Sequence, residues 1–585
     1  MKVFRVGLLV FLVQIAAAQQ PPSAALQGVV VQEGTNAPLA GVRVDLRPTG
    51  AGTTLDSSTT DRDGRFSFPR VTPGSYRLIA SKLGYVNAEY GQRLPSGPVE
   101  PLVLTPGQRL NNVRLTMFAG GVISGRATDN GQPVGIADVY AMKIVDVSGI
   151  SAPVAVMSAK TNDLGEFRIF WLPPGQYYVA LDIQDQASQG ALIVNPEGDD
   201  VSYPIRQRAV FRAVLNRAVG AGAAADEKHV MTFYPGTVDL DRAIPVQVRA
   251  GSEAPNINIS GASLPIRTVR GKVNGVPKDQ GLQTPAVELV QTNFSVGQAG
   301  RLAVALKDDG TFEIPRVIPG VYNVVAAAGN LLGGGGTLEV AGADVNNLEV
   351  NLVPGIEVSG RIVIERQPPI TPDPTMAALR VILRPEPPLG ITVGSAPIAD
   401  GTFKIPASTT APGVPTGDYR VYVAPVHIGR TIPGNPTSPV PTQLQNVYVK
   451  SIRLGDRDLL NDTLHIEREV QDKLEIVIGT NPGSIEGRVM TNRQQPAGMV
   501  WVALLPANKT RFKVDHRFMS TNPDGRFQFE NVPPGDYQVY AWEDIEKLTW
   551  QEPRLMRAYE SQGTPLHIDE GRKATIELTA IPPQN

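Results

Sequence analysis

Cysteine is absent from all 585 residues. No disulfide can staple this chain, no thiolate can act as nucleophile or metal ligand, and each domain needs an apolar core of its own. Histidine is nearly as scarce: His229, His427, His465, His516 and His567 are the full set. Only His567-Ile568-Asp569-Glu570 has the His-x-x-Glu spacing of a zinc peptidase, and no histidine follows it to complete a ligand set. Gly-x-Ser-x-Gly does not occur, and Gly333 to Gly336 lack the Lys-Ser/Thr of a phosphate loop. The formal net charge of −2 leaves no basic stripe for nucleic acid. After the N-terminus no apolar run approaches the roughly 20 residues that span a bilayer. These shortages argue against an enzyme, and no cofactor is expected.

The N-terminus carries a different signal. Lys2 and Arg5 precede the apolar run Val6 to Ala16, and Ala16-Ala17-Ala18 follows as a small-residue cleavage site. Charge, apolar run and cleavage site together read as a secretory signal peptide over 1–18, with Gln19 the expected mature start. The mature chain is therefore expected outside the cytoplasm, in the periplasm, on the outer surface or in the medium, with no membrane-spanning segment. Proline (51) and glycine (58) are abundant, as suits many short strands joined by turns.

Self-comparison exposes a repeat. Asp61-Arg62-Asp63-Gly64-Arg65-Phe66-Ser67-Phe68 is followed by Pro73-Gly74-Ser75-Tyr76. The same unit returns around Gly165, Gly310 and Gly525, each with its Pro-Gly glycine ten residues on, at Gly175, Gly320 and Gly535. A fifth copy, Asp400-Gly401-Thr402-Phe403-Lys404-Ile405, reaches Gly417-Asp418-Tyr419 after a longer Thr/Pro-rich loop. A second landmark precedes each: Gly28, Gly125, Gly271, Gly360 and Gly487, each inside a short apolar strand. Asp-Gly predicts a tight hairpin turn. The apolar residues two and four places later share one face of the strand that follows. The pattern predicts an all-β chain of about five tandem Ig-like or transthyretin-like sandwiches of about seven strands each. The expected division is 19–117, 118–260 with an insertion, 261–354, a divergent 355–472, and 473–585. Within the insertion, Arg206 to Leu215 has the spacing of a short helix, and Leu331 to Gly336 reads as a flexible loop.

The apolar strand with its glycine, Pro38-Leu39-Ala40-Gly41-Val42, the Asp-x-Asp-Gly-x-Phe turn and Pro-Gly-x-Tyr together resemble the carboxypeptidase-regulatory-like domain. That domain is similar in fold to transthyretin (prealbumin) and to collagen-adhesin B-type repeats. The resemblance implies a tandem-repeat exported bacterial protein with a binding, adhesive or structural role at the cell envelope or beyond it. It also implies kinship with a starch-binding-like sandwich, so carbohydrate binding is the alternative function. A further alternative is an accessory subunit of an outer-membrane uptake system. The expected partners are a polysaccharide or an envelope protein. Adhesin-type relatives often carry a Lys–Asn isopeptide bond, for which Lys272 and Asn351 are the pair on offer, although no acid occupies the strand after Tyr322.

Candidate binding residues are few. Asp61 and Asp63 in the first turn form a weak calcium candidate, short of the ligands that an EF-type loop needs. Trp501, Trp542 and Trp550 fall together in the last repeat and are the candidates for stacking on a sugar ring. No catalytic or cofactor-binding residue is expected.

Overall fold

The computed structural model describes residues 22–49, 56–95, 97–99, 101–147, 150–183, 227–277, 285–292, 301–329, 331–366, 372–386, 392–406, 413–424, 426, 444, 446–467, 469–508, 516–543, 545 and 556–582. The signal-peptide segment, the predicted helix at 206–215 and Trp550 lie outside the described residues. What is described is mostly strand, joined by turns and a few short 3-10 segments. The chain forms two compact units, one ending at Ala119 and the other holding the later repeats. The first unit contains one two-sheet sandwich, and the second contains four. Each has its own buried apolar cluster between its sheets.

The two sequence landmarks meet in every sandwich. The opening strand lies antiparallel to the Phe-bearing strand, with Gly28 opposite Phe66, Gly125 opposite Phe167, Gly271 opposite Phe312, Gly360 opposite Phe403 and Gly487 opposite Phe527. A closing strand runs parallel to the opening one on its other side, as Arg109–Met117 does beside Ala24–Gln32. The glycine is required by this crowding. A Cβ on Gly28 would sit 2.3 Å from Val113 O and 2.4 Å from the Phe66 ring. The missing side chain lets the aromatic ring lie flat over the strand and enter the core.

The Asp-Gly turn does not close a hairpin. In all five copies it joins the edge strand of one sheet to the Phe strand of the other; Asp56–Thr59 pairs with Arg43–Pro48, whereas Arg65–Val71 pairs with Ala24–Gln32. It is a corner between layers. Gly64 takes φ +71°, and its carbonyl accepts from Val30 N at 2.8 Å, tying the corner to the opening strand. The Pro-Gly turn then crosses back, and its tyrosine locks the crossing. Each phenol donates to a carbonyl four residues upstream: Tyr76 to Thr72, Tyr177 to Pro173, Tyr322 to Ile318, Tyr419 to Pro415 and Tyr537 to Pro533, at 2.6–2.9 Å. Buried at one end and bonded at the other, such a phenol contributes about 1 kcal/mol as a hydrogen bond beyond its apolar burial. Burial raises the Tyr322 phenol to about 12.

Two segments depart from the expected pattern. Leu331–Val340 is a ten-residue strand paired with Gly320–Ala328. Its glycines belong to a bulge: Gly334 has φ +107°, and a Cβ on Gly333 would meet Asn351 O at 2.7 Å. They allow close backbone approach within a sheet. In the fourth sandwich the closing strand Leu474–Gly479, which lies past the expected boundary at 472, is not an edge, because Tyr448–Leu454 pairs antiparallel with its free side.

Candidate functional site

The candidate calcium turn is occupied by its own backbone. Asp61 Oδ1 accepts from Asp63 N at 2.9 Å and from Arg65 N at 2.8 Å, which is how the corner holds its shape. Asn162 does the same for Leu164 N and Glu166 N, and Asn522 for Asp524 N and Arg526 N. An amide serves as well as a carboxylate there, so the position supplies turn geometry rather than charge. Among the described residues no three His, Cys, Asp or Glu side chains gather around one point.

The tryptophans of the fifth sandwich separate into two environments. Trp542 is fully buried and corrects the stacking expectation. Alternation places it on the outer face of the larger sheet, but Ile545, Met556, Tyr559 and Ile581 roof that face with a second apolar layer. Its ring stacks on Tyr540 at 5.2 Å and meets Tyr559 edge-on at 5.8 Å, leaving no face for a sugar. Trp501, directly opposite it in register, is only partly buried and stacks on Phe518 at 4.5 Å.

The outer faces of the corresponding sheets in the other sandwiches differ sharply. The first carries ion pairs, with Asp45 between Arg43 and Arg47 and Glu89 gripped by Arg77 at 2.5 and 2.8 Å. The second buries Tyr140, Met142, Met231 and Phe233. The fourth pairs the buried Arg420 with Glu386 at 2.9 Å and lays Arg384 over the Tyr422 ring. The interior design recurs while the exterior varies.

Three histidines are held by carboxylates. His465 Nδ1 meets Asp418 at 2.5 Å and its Nε2 meets Glu467 at 2.9 Å. His567 repeats this in the fifth sandwich, with Asp536 at 2.6 Å and Asp569 at 3.5 Å. The carboxylates raise both imidazoles above their ordinary value, Glu467 foremost for His465 and Asp536 for His567. His229 Nε2 lies 3.1 Å from Asp129. The His567-x-x-Glu570 motif diverges: its histidine faces Asp536, whereas Glu570 turns to Lys450 of the fourth sandwich. Lys272 and Asn351 do not face each other either. Lys272 pairs in register with Glu349, and Asn351 accepts from Asn274 at 3.0 Å.

Sequence reasoning missed the junction of the fourth and fifth sandwiches. Lys450 Nζ sits 2.8 Å from Glu365 of its own sandwich and 3.2 Å from Glu570 of the next. Glu365, then Glu570, hold its ammonium well above the ordinary lysine range. Beside it a cleft of about 130 Å³ is lined by Tyr448, Lys450, Leu460, Pro534 and Glu570. Burial, with the Glu570 carboxylate adding to it, pushes the Tyr448 phenol to about 12. No local pattern marks these residues, since they come from four separate stretches of chain. The paired His-x-acid strands were readable, as His465-x-Glu467 and His567-x-Asp569.

Residues 25–117 match the family of the carboxypeptidase regulatory-like domain, which covers the first sandwich. Over 374 residues the chain is 23% identical to the BOS complex subunit NOMO1 of Mus musculus, covering 61% of this chain and 25% of that protein. Over 359 residues it is 23% identical to the BOS complex subunit NOMO2 of Homo sapiens, covering 59% and 23%. The chain thus spans about a quarter of the length of these relatives. Among solved structures it is similar to GBS52, the minor pilin of Streptococcus agalactiae, at 12% identity and a TM-score of 0.20, over 41% of this chain and 97% of that one. It is also similar to BcpA, the major pilin subunit of Bacillus cereus, at 10% identity and a TM-score of 0.14, over 56% and 99%.

Proposed function

We propose that this chain is an exported, non-catalytic array of β-sandwiches with a structural and binding role at the cell envelope or outside the cell. The observation that carries the reading is the division of labour within each module. Glycine, phenylalanine and tyrosine repeat one interior five times, while ion pairs, tyrosines or a roofed aromatic layer make each outer face its own. Repeating a rigid interior multiplies surface, and surface is what a scaffold or adhesive array uses. The junction supports the same reading, because Lys450 bridges carboxylates on two successive modules. Among the described residues, His229, His465 and His567 are each engaged with carboxylates.

Export is the testable half. Protein isolated from cells of its source should be found in the envelope fraction or the medium, and N-terminal sequencing should begin at Gln19. A cytosolic protein that retains Met1-Lys2 would refute the reading.

A further inference from the structure

The second sandwich carries an exposed aromatic pair that its fold does not require. Strand Glu166–Leu172 bulges after Ile169, and Phe170 and Trp171 both stand out of it, 44% and 39% exposed. Their rings meet edge-to-face at 4.6 Å. Trp171 adopts φ +63°, a conformation that a bulky side chain takes only under strain. The same bulge place is held by Arg316 in the third sandwich and Asn531 in the fifth, at φ +60° and +58°. Asparagine takes that conformation at little cost, so the bulge needs no tryptophan. Gly120 packs beneath it so closely that a Cβ there would lie 2.6 Å from Trp171 Cα, which fixes the backbone and so the ring's origin.

Next to the aromatic pair, on the same face, runs a row of hydrogen-bonding groups. Arg168 is two residues from Phe170 along the strand and therefore points the same way, about 7 Å off. It lies opposite Ser124 in register. Glu253, from the strand on the far side of Ser124's, accepts from Ser124 Oγ at 2.5 Å and from Arg168 at 3.1 Å. Ser124, then Arg168, hold the Glu253 carboxyl below its usual range, so it stays an acceptor at neutral pH.

We propose that Phe170 and Trp171, with the Arg168–Ser124–Glu253 row, form a platform that binds a neutral polysaccharide. A pyranose ring offers an apolar C–H face to an aromatic ring and hydroxyls, both donor and acceptor, at its rim. The platform offers the complement of both. Charge selects within that class. Arg168 is already paired with Glu253, so the row presents no net positive charge, and a uronate or phosphate would meet the Glu253 carboxylate. The assignment goes beyond the array reading and does not depend on export.

The test is affinity electrophoresis of the full chain through gels containing starch, dextran, galactomannan or xyloglucan, with alginate as the anionic arm. Retardation by at least one neutral polymer and not by alginate is expected. Trp171→Asn should weaken that binding about tenfold or more while leaving the Tm unchanged or raised, since it relieves the backbone. Phe170→Ser should weaken it in parallel. The proposal is overturned by migration unaffected by every neutral polymer, by retardation that survives both substitutions, or by retardation in alginate alone. Sugar-independent self-association abolished by Trp171→Asn would also overturn it, by assigning the face to protein contact.

Discussion

A methyl group added at Gly487 would lie 2.2 Å from the Phe527 ring and 2.9 Å from Ile576 O. The ring belongs to the core and the carbonyl to a paired strand, so neither can yield cheaply. Gly487→Ala is expected to cost about 1–3 kcal/mol as overpacking, read as an earlier denaturant midpoint in the fluorescence of the fifth sandwich's tryptophans. The two imidazole–carboxylate pairs give a pH effect of definite sign. Their folded pKa values lie above the unfolded one, near 6.5. The stability they add is therefore fully present below about pH 6.5 and is lost as pH rises through the raised value. Both sites are exposed, so the effect is small. Replacing His465 and His567 by asparagine should lower Tm at pH 5.5 and leave it unchanged at pH 9; an equal change at both values would contradict the pairing. The glycine is legible in the sequence because its fixed spacing from the Phe turn repeats, whereas the histidines meet Asp418 and Asp536 across strands, 47 and 31 residues away. Trp542 was not legible, because the residues that roof it, Met556, Tyr559 and Ile581, follow it by 14 to 39 positions and belong to no repeat.

Among the elements, Leu331–Val340 separates the two ways of reading glycine. Four consecutive glycines suggest a loop, yet the backbone pairs with Gly320–Ala328 across its length. Amides of this strand should exchange with solvent as slowly as those of Gly320–Ala328, measured by hydrogen exchange with mass spectrometry. Exchange at the rate of an open loop would show that the bulged pairing is absent. The Asp-Gly corner teaches the same lesson. Turn chemistry reports that the chain reverses there, and Asp61 and Gly64 behave as their residue types predict. It does not report which sheet the next strand joins, since that depends on Phe66 finding Gly28 across the opening strand. The period-two pattern named the buried faces correctly, because Phe66 and Phe68, like Phe527 and Phe529, are all in the core.

At the scale of the molecule, repetition was the strongest signal, because five copies of one spacing leave little room for another fold. The fourth copy was the weakest in sequence, and it is the one whose opening-strand sheet gained the strand Tyr448–Leu454. The junction that this strand helps build, with Lys450 between Glu365 and Glu570, has no sequence mark at all. What an array of this kind must have is a separate core in every module, and the five apolar clusters are such cores. Successive opening glycines lie 97, 146, 89 and 127 residues apart. Stretching the full chain between its ends in a single-molecule force experiment should therefore give five separate unfolding steps. At about 3.6 Å per residue each should release on the order of 300–500 Å. A single cooperative rupture, or extension without discrete steps, would contradict the account.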